Sequence, residues 1–96
     1  MPYIPKTERK RYDETIVHLA DLLLDKLPAN NGPDFSEGDF NYIVSKLTWI
    51  LLDVAPSYQR GNKLVGALEC IKQEFIRRRL NDYEDKKIKE NGDLKT

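Results

Sequence analysis

Residues 62–91 read NKLVGALECIKQEFIRRRLNDYEDKKIKEN, and this stretch decides the fold class of the chain. It contains no proline and is rich in Leu, Ala, Glu, Gln, Lys and Arg, which favour helices. Its apolar residues recur at the 4-3-4 spacing of one helix face, namely Leu64, Leu68, Ile71 and Phe75. A long helix over residues 60–91 is therefore predicted.

The second half of this helix is less regular than the first. After Phe75 the apolar pattern drifts to Ile76, Leu80 and Tyr83 and then becomes sparse. Gly92 follows the last turn, where a glycine in a left-handed conformation is expected to cap the helix. Because the helix is longer than a compact domain of this size needs, its far end is expected to pack against another copy of the chain.

Two shorter helices are predicted over residues 8–27 and 37–54, because each segment carries an apolar stripe at helical spacing. Asp13 is an alternative start for the first helix, and Ser36 with Asp39 has the spacing of a capping box at the start of the second.

Pro2 and Pro5 favour an extended arm over residues 1–7. No stretch alternates with the period of a β-strand. The sequence thus predicts an all-α fold in one domain, residues 1–96. The predicted architecture is a three-helix antiparallel bundle with an extended N-terminal arm and a long third helix, and the bundle is expected to form a homo-oligomer.

The composition is that of a soluble helical protein. Charged residues make up 33% of the 96 residues and hydrophobic residues 40%. No apolar run is long enough to cross a membrane, and the N-terminus lacks the pattern of a secretory signal. The single cysteine excludes an internal disulfide. A cytoplasmic location without a membrane partner is expected.

Charge is unevenly distributed although the net charge is zero. Residues 1–12 carry four positive and one negative charge, residues 13–39 one positive and seven negative, and residues 60–80 six positive and two negative. The neutral total argues against a nucleic-acid partner. Either the acidic first helix complements the basic third helix within the fold, or the basic region binds an anionic ligand.

A nucleotide-sized site can be assembled from polar residues of this region and its neighbours. Arginine offers a planar fork suited to phosphate, and aromatic rings can stack on a base. Helix beginnings favour anions through free backbone N–H groups. The candidate ligand-binding residues are Arg60, Arg77, Arg78, Tyr58, Tyr83, Asn41 and Asn62.

No catalytic residue, metal site or cofactor is expected. His18 is the only histidine, and Cys70 is predicted to be a small buried thiol beside Ile71. The pairs Asp21 with Asp25 and Asp82 with Asp85 could each place two carboxylates on one helix face. The two ordered half-motifs of helical magnesium-dependent nucleotide pyrophosphohydrolases are not present.

Four segments resemble a family of small proteins of tailed phages, bacteria and archaea. They are MPYIP at the N-terminus, GDFNYIV from Gly38, GALECIKQEFIRR from Gly66 and YEDKKIKENGD from Tyr83. The likeness spans nearly the whole chain. Since the family has no established activity, the resemblance implies kinship and a phage association and no particular chemistry. If the gene belongs to a phage, the expected location is the cytoplasm of the host.

The leading functional hypothesis is a non-enzymatic, phage-linked protein that oligomerises and sequesters a small anionic, nucleotide-like ligand at subunit interfaces. Two alternatives remain open. One is an adaptor that uses its N-terminal arm and Trp49 to bind a host or phage protein. The other is a magnesium-dependent nucleotide pyrophosphohydrolase that uses the aspartate pairs.

Overall fold

The computed structural model describes residues 3–25 and 34–94. Its helices are α1 (Lys6–Asp25), α2 (Glu37–Asp53), α3 (Tyr58–Phe75), a π turn (Ile76–Leu80) and α4 (Asn81–Asn91). The last three follow one another directly and form one long helical segment. The all-α class with three helices, of which the third is long, is confirmed.

The chain divides into two compact units, Met1–Val54 and Ala55–Thr96. The first holds α1 and α2, and the second holds the long helical segment. The antiparallel bundle, the single domain and the oligomer stay predictions. Within the described residues no helix combines the length and the hydropathy needed to cross a bilayer.

α1 begins directly after Pro5, earlier than the sequence predicted. The Glu8 N–H donates to the carbonyl oxygen of Pro5 at 2.9 Å, and Arg9 Nε donates to the carbonyl oxygen of Ile4 at 3.1 Å. Proline suits this position because its missing N–H would have no partner in the first turn of a helix. Asp13 therefore lies inside α1, and the non-helical part of the described arm is Tyr3 to Pro5. The predicted end of the helix at residues 26 and 27 lies outside the described residues.

α2 begins with two local contacts that its sequence encodes. Ser36 has an extended backbone, with φ −88° and ψ 130°, and its Oγ accepts a hydrogen bond from the Asp39 N–H at 3.4 Å. The rings of Phe35 and Phe40 meet edge to face with centroids 6.1 Å apart. These rings flank the cap as a hydrophobic staple, which fixes the direction in which the chain enters the helix.

α3 is capped in the same way by Ser57, whose Oγ accepts from the Arg60 N–H at 3.0 Å. The next N–H, that of Gly61, donates to the Ser57 carbonyl oxygen at 3.0 Å. The helix thus begins at Tyr58, two residues before the predicted start. A serine cap satisfies one of the N–H groups that the first turn leaves without a partner.

The π turn keeps the apolar residues of the long helical segment on one face. The Asn81 N–H bonds to the carbonyl oxygen of Ile76, five residues back, so this turn holds one residue more than an α-helical turn. In an uninterrupted α-helix Leu80 and Tyr83 would lie about 140° and 80° from Phe75 around the axis. The extra residue reduces these angles to about 40° and 20°.

The predicted drift of the stripe is therefore wrong for Leu80 and Tyr83, which stay on the face begun in α3. This face, called the long stripe below, consists of Leu64, Leu68, Ile71, Phe75, Leu80 and Tyr83. It spans about 25–30 Å along the segment.

Gly92 ends α4 and has φ 87° and ψ 149°. Its N–H donates to the carbonyl oxygen of Ile88 at 2.7 Å. The positive φ agrees with the predicted glycine cap, whereas ψ lies outside the compact left-handed region. Both values are accessible to glycine because it has no Cβ.

None of the described residues is fully buried. The large side chains of the long stripe from Leu68 to Tyr83 keep between 39% and 56% of their surface exposed. α1 and α2 face each other across an apolar groove of about 320 Å³, which is lined by Leu19, Leu22, Leu23, Asp39, Tyr42 and Ile43. Apolar faces are thus present, and water reaches all of them.

Candidate functional site

At the beginning of α3 lies an open cavity with a volume of about 420 Å³, called the basic concavity below. Its lining is Ala55, Pro56, Ser57, Gln59, Arg60 and Lys63. Arg60 and Lys63 are three residues apart and therefore project from the same helix face. These residues contribute two cationic groups and no carboxylate, which suits an anionic ligand.

Local sequence explains why this surface is concave. Pro56 fixes the backbone just before the helix, and the Ser57 cap holds the first turn in place through the Arg60 N–H. Tyr58 stands beside the concavity as the first residue of α3 and is 93% exposed. An aromatic ring at this edge offers a face on which a base can stack.

The other predicted residues of the long helical segment lie elsewhere. Arg77 and Arg78 are in the π turn, about 25 Å along the axis from Arg60. One copy of the chain therefore does not bring these three arginines to one ligand. Tyr83 lies close to the π turn, and Lys87 Nζ is 5.6 Å from the centroid of its ring.

Arg77 already has a partner within its own helix. Its Nη2 donates to the two carboxylate oxygens of Glu74 at 3.2 and 3.0 Å. Glu74 therefore lowers the positive potential that Arg77 presents to an anionic ligand.

Asn41 and Asn62 lie near the beginnings of α2 and α3, but not in the first turn. Each is the fifth residue of its helix, beyond the N–H groups that a first turn leaves without a partner. Asn62 is exposed, and Asn41 Oδ1 accepts a hydrogen bond from Ser45 Oγ at 2.7 Å. Their side chains remain candidates for reading a base edge, whereas their backbones offer no anion site.

Of the polar residues that line the basic concavity, only Arg60 was predicted, whereas Ser57, Gln59 and Lys63 were not. The signal for them was present in the sequence. A serine that follows a proline and precedes a long helix is a cap, and a cation at the third helical position with another three residues later marks one face.

A second surface lies on α2, in the unit Met1–Val54. It is a groove of about 280 Å³, called the aromatic groove below, and is lined by Tyr42, Ser45, Lys46, Trp49, Ile50 and Asp53. Trp49 is 68% exposed, which is unusual for so large an apolar ring. Trp and Tyr are enriched at the centres of protein–protein interfaces.

Of the candidate metal ligands, Asp21, Asp82 and Asp85 are exposed on their helices. Asp82 pairs with Lys86 at 3.4 Å, and His18 is exposed on α1. Across residues 3–25 and 34–94, no three His, Cys, Asp or Glu side chains come together in a way that could hold a metal ion.

Cys70 is a free, exposed thiol, so its predicted burial is wrong. Cys70 lies to one side of the long stripe, whose own side chains are exposed, so its apolar neighbours do not bury it.

A family model described as a domain of unknown function, DUF6899, matches residues 1–94. The chain belongs to this family. No curated protein and no solved structure matches the chain. Membership in DUF6899 confirms that the chain belongs to a family without an assigned activity, and the match spans nearly the whole chain. The family description carries no activity, so the functional assignment rests on the geometry described above.

Proposed function

We propose that this DUF6899 protein is a non-enzymatic binding protein that assembles from several copies and sequesters a small anionic, nucleotide-like ligand. The observation that carries the proposal is the basic concavity at the beginning of α3, where Arg60 and Lys63 project from one face beside the exposed ring of Tyr58. The phage link and the cytoplasmic location implied by the sequence are part of this proposal.

Assembly is supported by the uncovered apolar faces. Burial of apolar surface is the main favourable term in folding, at about 25 cal/mol per Å². The described part of the chain has no fully buried side chain, so a single copy gains little of this energy. Contact between copies would supply it and would also enclose a bound ligand.

The first test is native mass spectrometry of the freshly purified protein, which reports subunit number and retained ligand together. An oligomer that carries extra mass in the range of a nucleotide supports the proposal. A bare monomer that also fails to bind a panel of nucleoside mono-, di- and triphosphates in calorimetric titrations contradicts it.

The second test locates the ligand. The double variant Arg60→Ala, Lys63→Ala is expected to bind the retained nucleotide more weakly by about 1.5–3 kcal/mol for each charged hydrogen bond lost. The matched control Lys10→Ala, Lys89→Ala also removes two exposed cations and is expected to bind normally. The single variants Arg77→Ala and Arg78→Ala test the other arginine cluster, and unchanged affinity in both removes that cluster from the site.

The aromatic groove favours a second candidate function, that of an adaptor for a host or phage protein. In this case Trp49 would provide the central contact, with Tyr42 beside it and Lys46 and Asp53 at the rim. The variant Trp49→Ala would abolish the interaction, whereas Tyr58→Ala, which removes another exposed aromatic ring, would preserve it. A purified binary complex that survives Trp49→Ala excludes the groove as the interface.

A further inference from the structure

The described part of the N-terminal arm is tied to the first turn of α1. Arg9 Nε donates to the carbonyl oxygen of Ile4 at 3.1 Å, and the Glu8 N–H donates to the carbonyl oxygen of Pro5 at 2.9 Å. Tyr3 and Ile4 nevertheless remain about half exposed. The arm therefore presents apolar side chains to water from a fixed position at the beginning of α1.

The sequence of the arm favours a polyproline II helix. Pro2, which lies outside the described residues, and Pro5 each restrict φ, and Pro5 also keeps Ile4 out of the helical region. A polyproline II helix has about three residues per turn and rises about 3.1 Å per residue, so Pro2 and Pro5 would share one edge, about 9 Å apart. Segments with this Pro-x-x-Pro spacing bind to grooves that are lined by aromatic rings.

The aromatic groove on α2 offers two rings at a matching distance. Tyr42 and Trp49 both line it and are two helical turns apart, which places their Cα atoms about 10 Å apart along one face. The indole N–H of Trp49 is a hydrogen-bond donor, and the carbonyl groups of a polyproline II helix remain available as acceptors. The groove thus fits both the spacing and the backbone of the arm.

The charges of the two surfaces are opposite. α2 carries three carboxylates and one cation, and one of the carboxylates, that of Asp53, lines the groove at the last residue of the helix. Residues 1–12 carry four positive charges and one negative charge, and Lys6 directly follows the arm. Association of the arm with the groove is therefore electrostatically favourable.

Within one copy of the chain the arm does not cover the groove. Tyr3, Ile4 and Trp49 all belong to the unit Met1–Val54, and all three are exposed. An arm that covers this groove must accordingly come from another copy.

We propose that the aromatic groove of one copy binds the arm of a second copy, residues 1–5, as a polyproline II helix. The two prolines of the arm pack on the rings of Tyr42 and Trp49. This proposal rests on the assembly in the proposed function and names an interface for it. Every copy carries both an arm and a groove, so the contact can close reciprocally between two copies or around a ring.

Trp49 reports on this contact directly because it is the only tryptophan of the chain. Acrylamide is expected to quench its fluorescence strongly in the dilute, dissociated protein. Quenching is expected to weaken over the concentration range in which sedimentation equilibrium shows assembly. Equally strong quenching in the assembled protein overturns the proposal. Weak quenching in the dissociated protein also overturns it, because the groove would then be covered within one copy.

A mixture of two variants tests whether the arm is what covers Trp49. The arm variant carries Pro2→Ala and Pro5→Ala and keeps its tryptophan, whereas the donor variant carries Trp49→Ala and keeps its arm. The tryptophan signal of the mixture comes from the arm variant alone. Acrylamide is expected to quench the arm variant by itself as strongly as the dissociated wild type. An excess of the donor variant is expected to restore the protection seen in the assembled wild type.

The matched control for the donor is a chain that carries all three substitutions and therefore lacks both the arm prolines and Trp49. This control is expected to leave the quenching of the arm variant unchanged. Protection by the control that equals protection by the donor overturns the arm as the occupant. If circular dichroism shows that Trp49→Ala unfolds the chain, Trp49→Phe replaces it in both the donor and the control.

This proposal and the proposed function fail differently. A wild-type protein that is monomeric at every concentration contradicts the assembly itself. An oligomer in which Trp49 stays as strongly quenched as in the dissociated chain overturns the arm contact alone. That result leaves the assembly and the basic concavity standing, and it leaves the aromatic groove open to the protein partner of an adaptor.

Discussion

Arg77 is held by Glu74, one turn earlier on the same helical segment, through hydrogen bonds of 3.2 and 3.0 Å from Nη2 to the two carboxylate oxygens. The arginine is 67% exposed at its side chain. Such a pair contributes at most about 0.5 kcal/mol to the free energy of unfolding. Its main effect is on the charge that Arg77 presents to a ligand.

The variant Glu74→Gln therefore separates two roles of Arg77. If Arg77 holds phosphate, removing the competing carboxylate is expected to tighten nucleotide binding in calorimetric titration while thermal stability hardly changes. Glu69→Gln is the matched control, because Glu69 pairs with Lys72 at 4.0 Å on the same segment. Equal affinities in the two variants would remove Arg77 from the ligand site.

The two serine caps are expected to contribute similar amounts to stability. Ser36→Ala and Ser57→Ala each remove the side-chain oxygen that accepts a hydrogen bond from the first turn of a helix. Each is expected to lower the free energy of unfolding in urea by about 1 kcal/mol. Ser45→Ala, within α2, is the control and should stay within about 0.5 kcal/mol of wild type. A Ser57 variant as stable as the Ser45 variant would mean that the cap is not formed in solution.

Deleting one residue distinguishes the π turn from ordinary helix. Loss of Arg79 would convert the π turn to α-helix and leave Leu80 and Tyr83 on the long stripe. The thermal midpoint of the variant that lacks Arg79, followed by circular dichroism, is expected to equal or exceed that of the wild type. Loss of Lys72 removes the same charge from regular α3, rotates everything after it by about 100°, and is expected to lower the midpoint. Equal thermal midpoints for the two deletion variants would argue against a π turn with one extra residue at Ile76–Leu80.

Two glycines are expected to respond oppositely to alanine. A Cβ at Gly66 would meet nothing within 4 Å, so Gly66→Ala is expected to stabilise the helix by about 0.5–1 kcal/mol. Gly92 has a positive φ of 87°, so Gly92→Ala is expected to destabilise the end of α4. Both effects can be read from urea unfolding curves. Destabilisation by Gly66→Ala would show that another surface lies against α3 at that point in the assembly.

Local signals predicted the helices well. The helical class, the cap at Ser36 and the positive φ at Gly92 follow from short-range preferences that are visible within a few residues. The predicted start of the third helix at residue 60 is two residues late, because the helix is capped by Ser57 and begins at Tyr58. This error placed Asn62 in the first turn, where its N–H would have been free.

The long stripe could be predicted only in part. The spacing from Phe75 to Leu80 is five residues, which fits no α-helical face, and only a π turn makes it continuous. Burial at Cys70 was predicted from its apolar neighbours, but covering that region requires a second surface. The spacing of Arg60 and Lys63 places them on one helix face, but the concave shape beside them depends on the direction of the chain at Pro56, which the spacing does not give.

None of the described apolar side chains is fully buried, so in the proposed assembly protein concentration would be a determinant of folding. When the native state is completed by another copy, its stability follows mass action, and the melting temperature rises with the amount of protein present. Dilution would then act as a denaturant for the proposed assembly. In a cell, the protein would gain its full structure, and with it a formed ligand site, only after enough copies had accumulated.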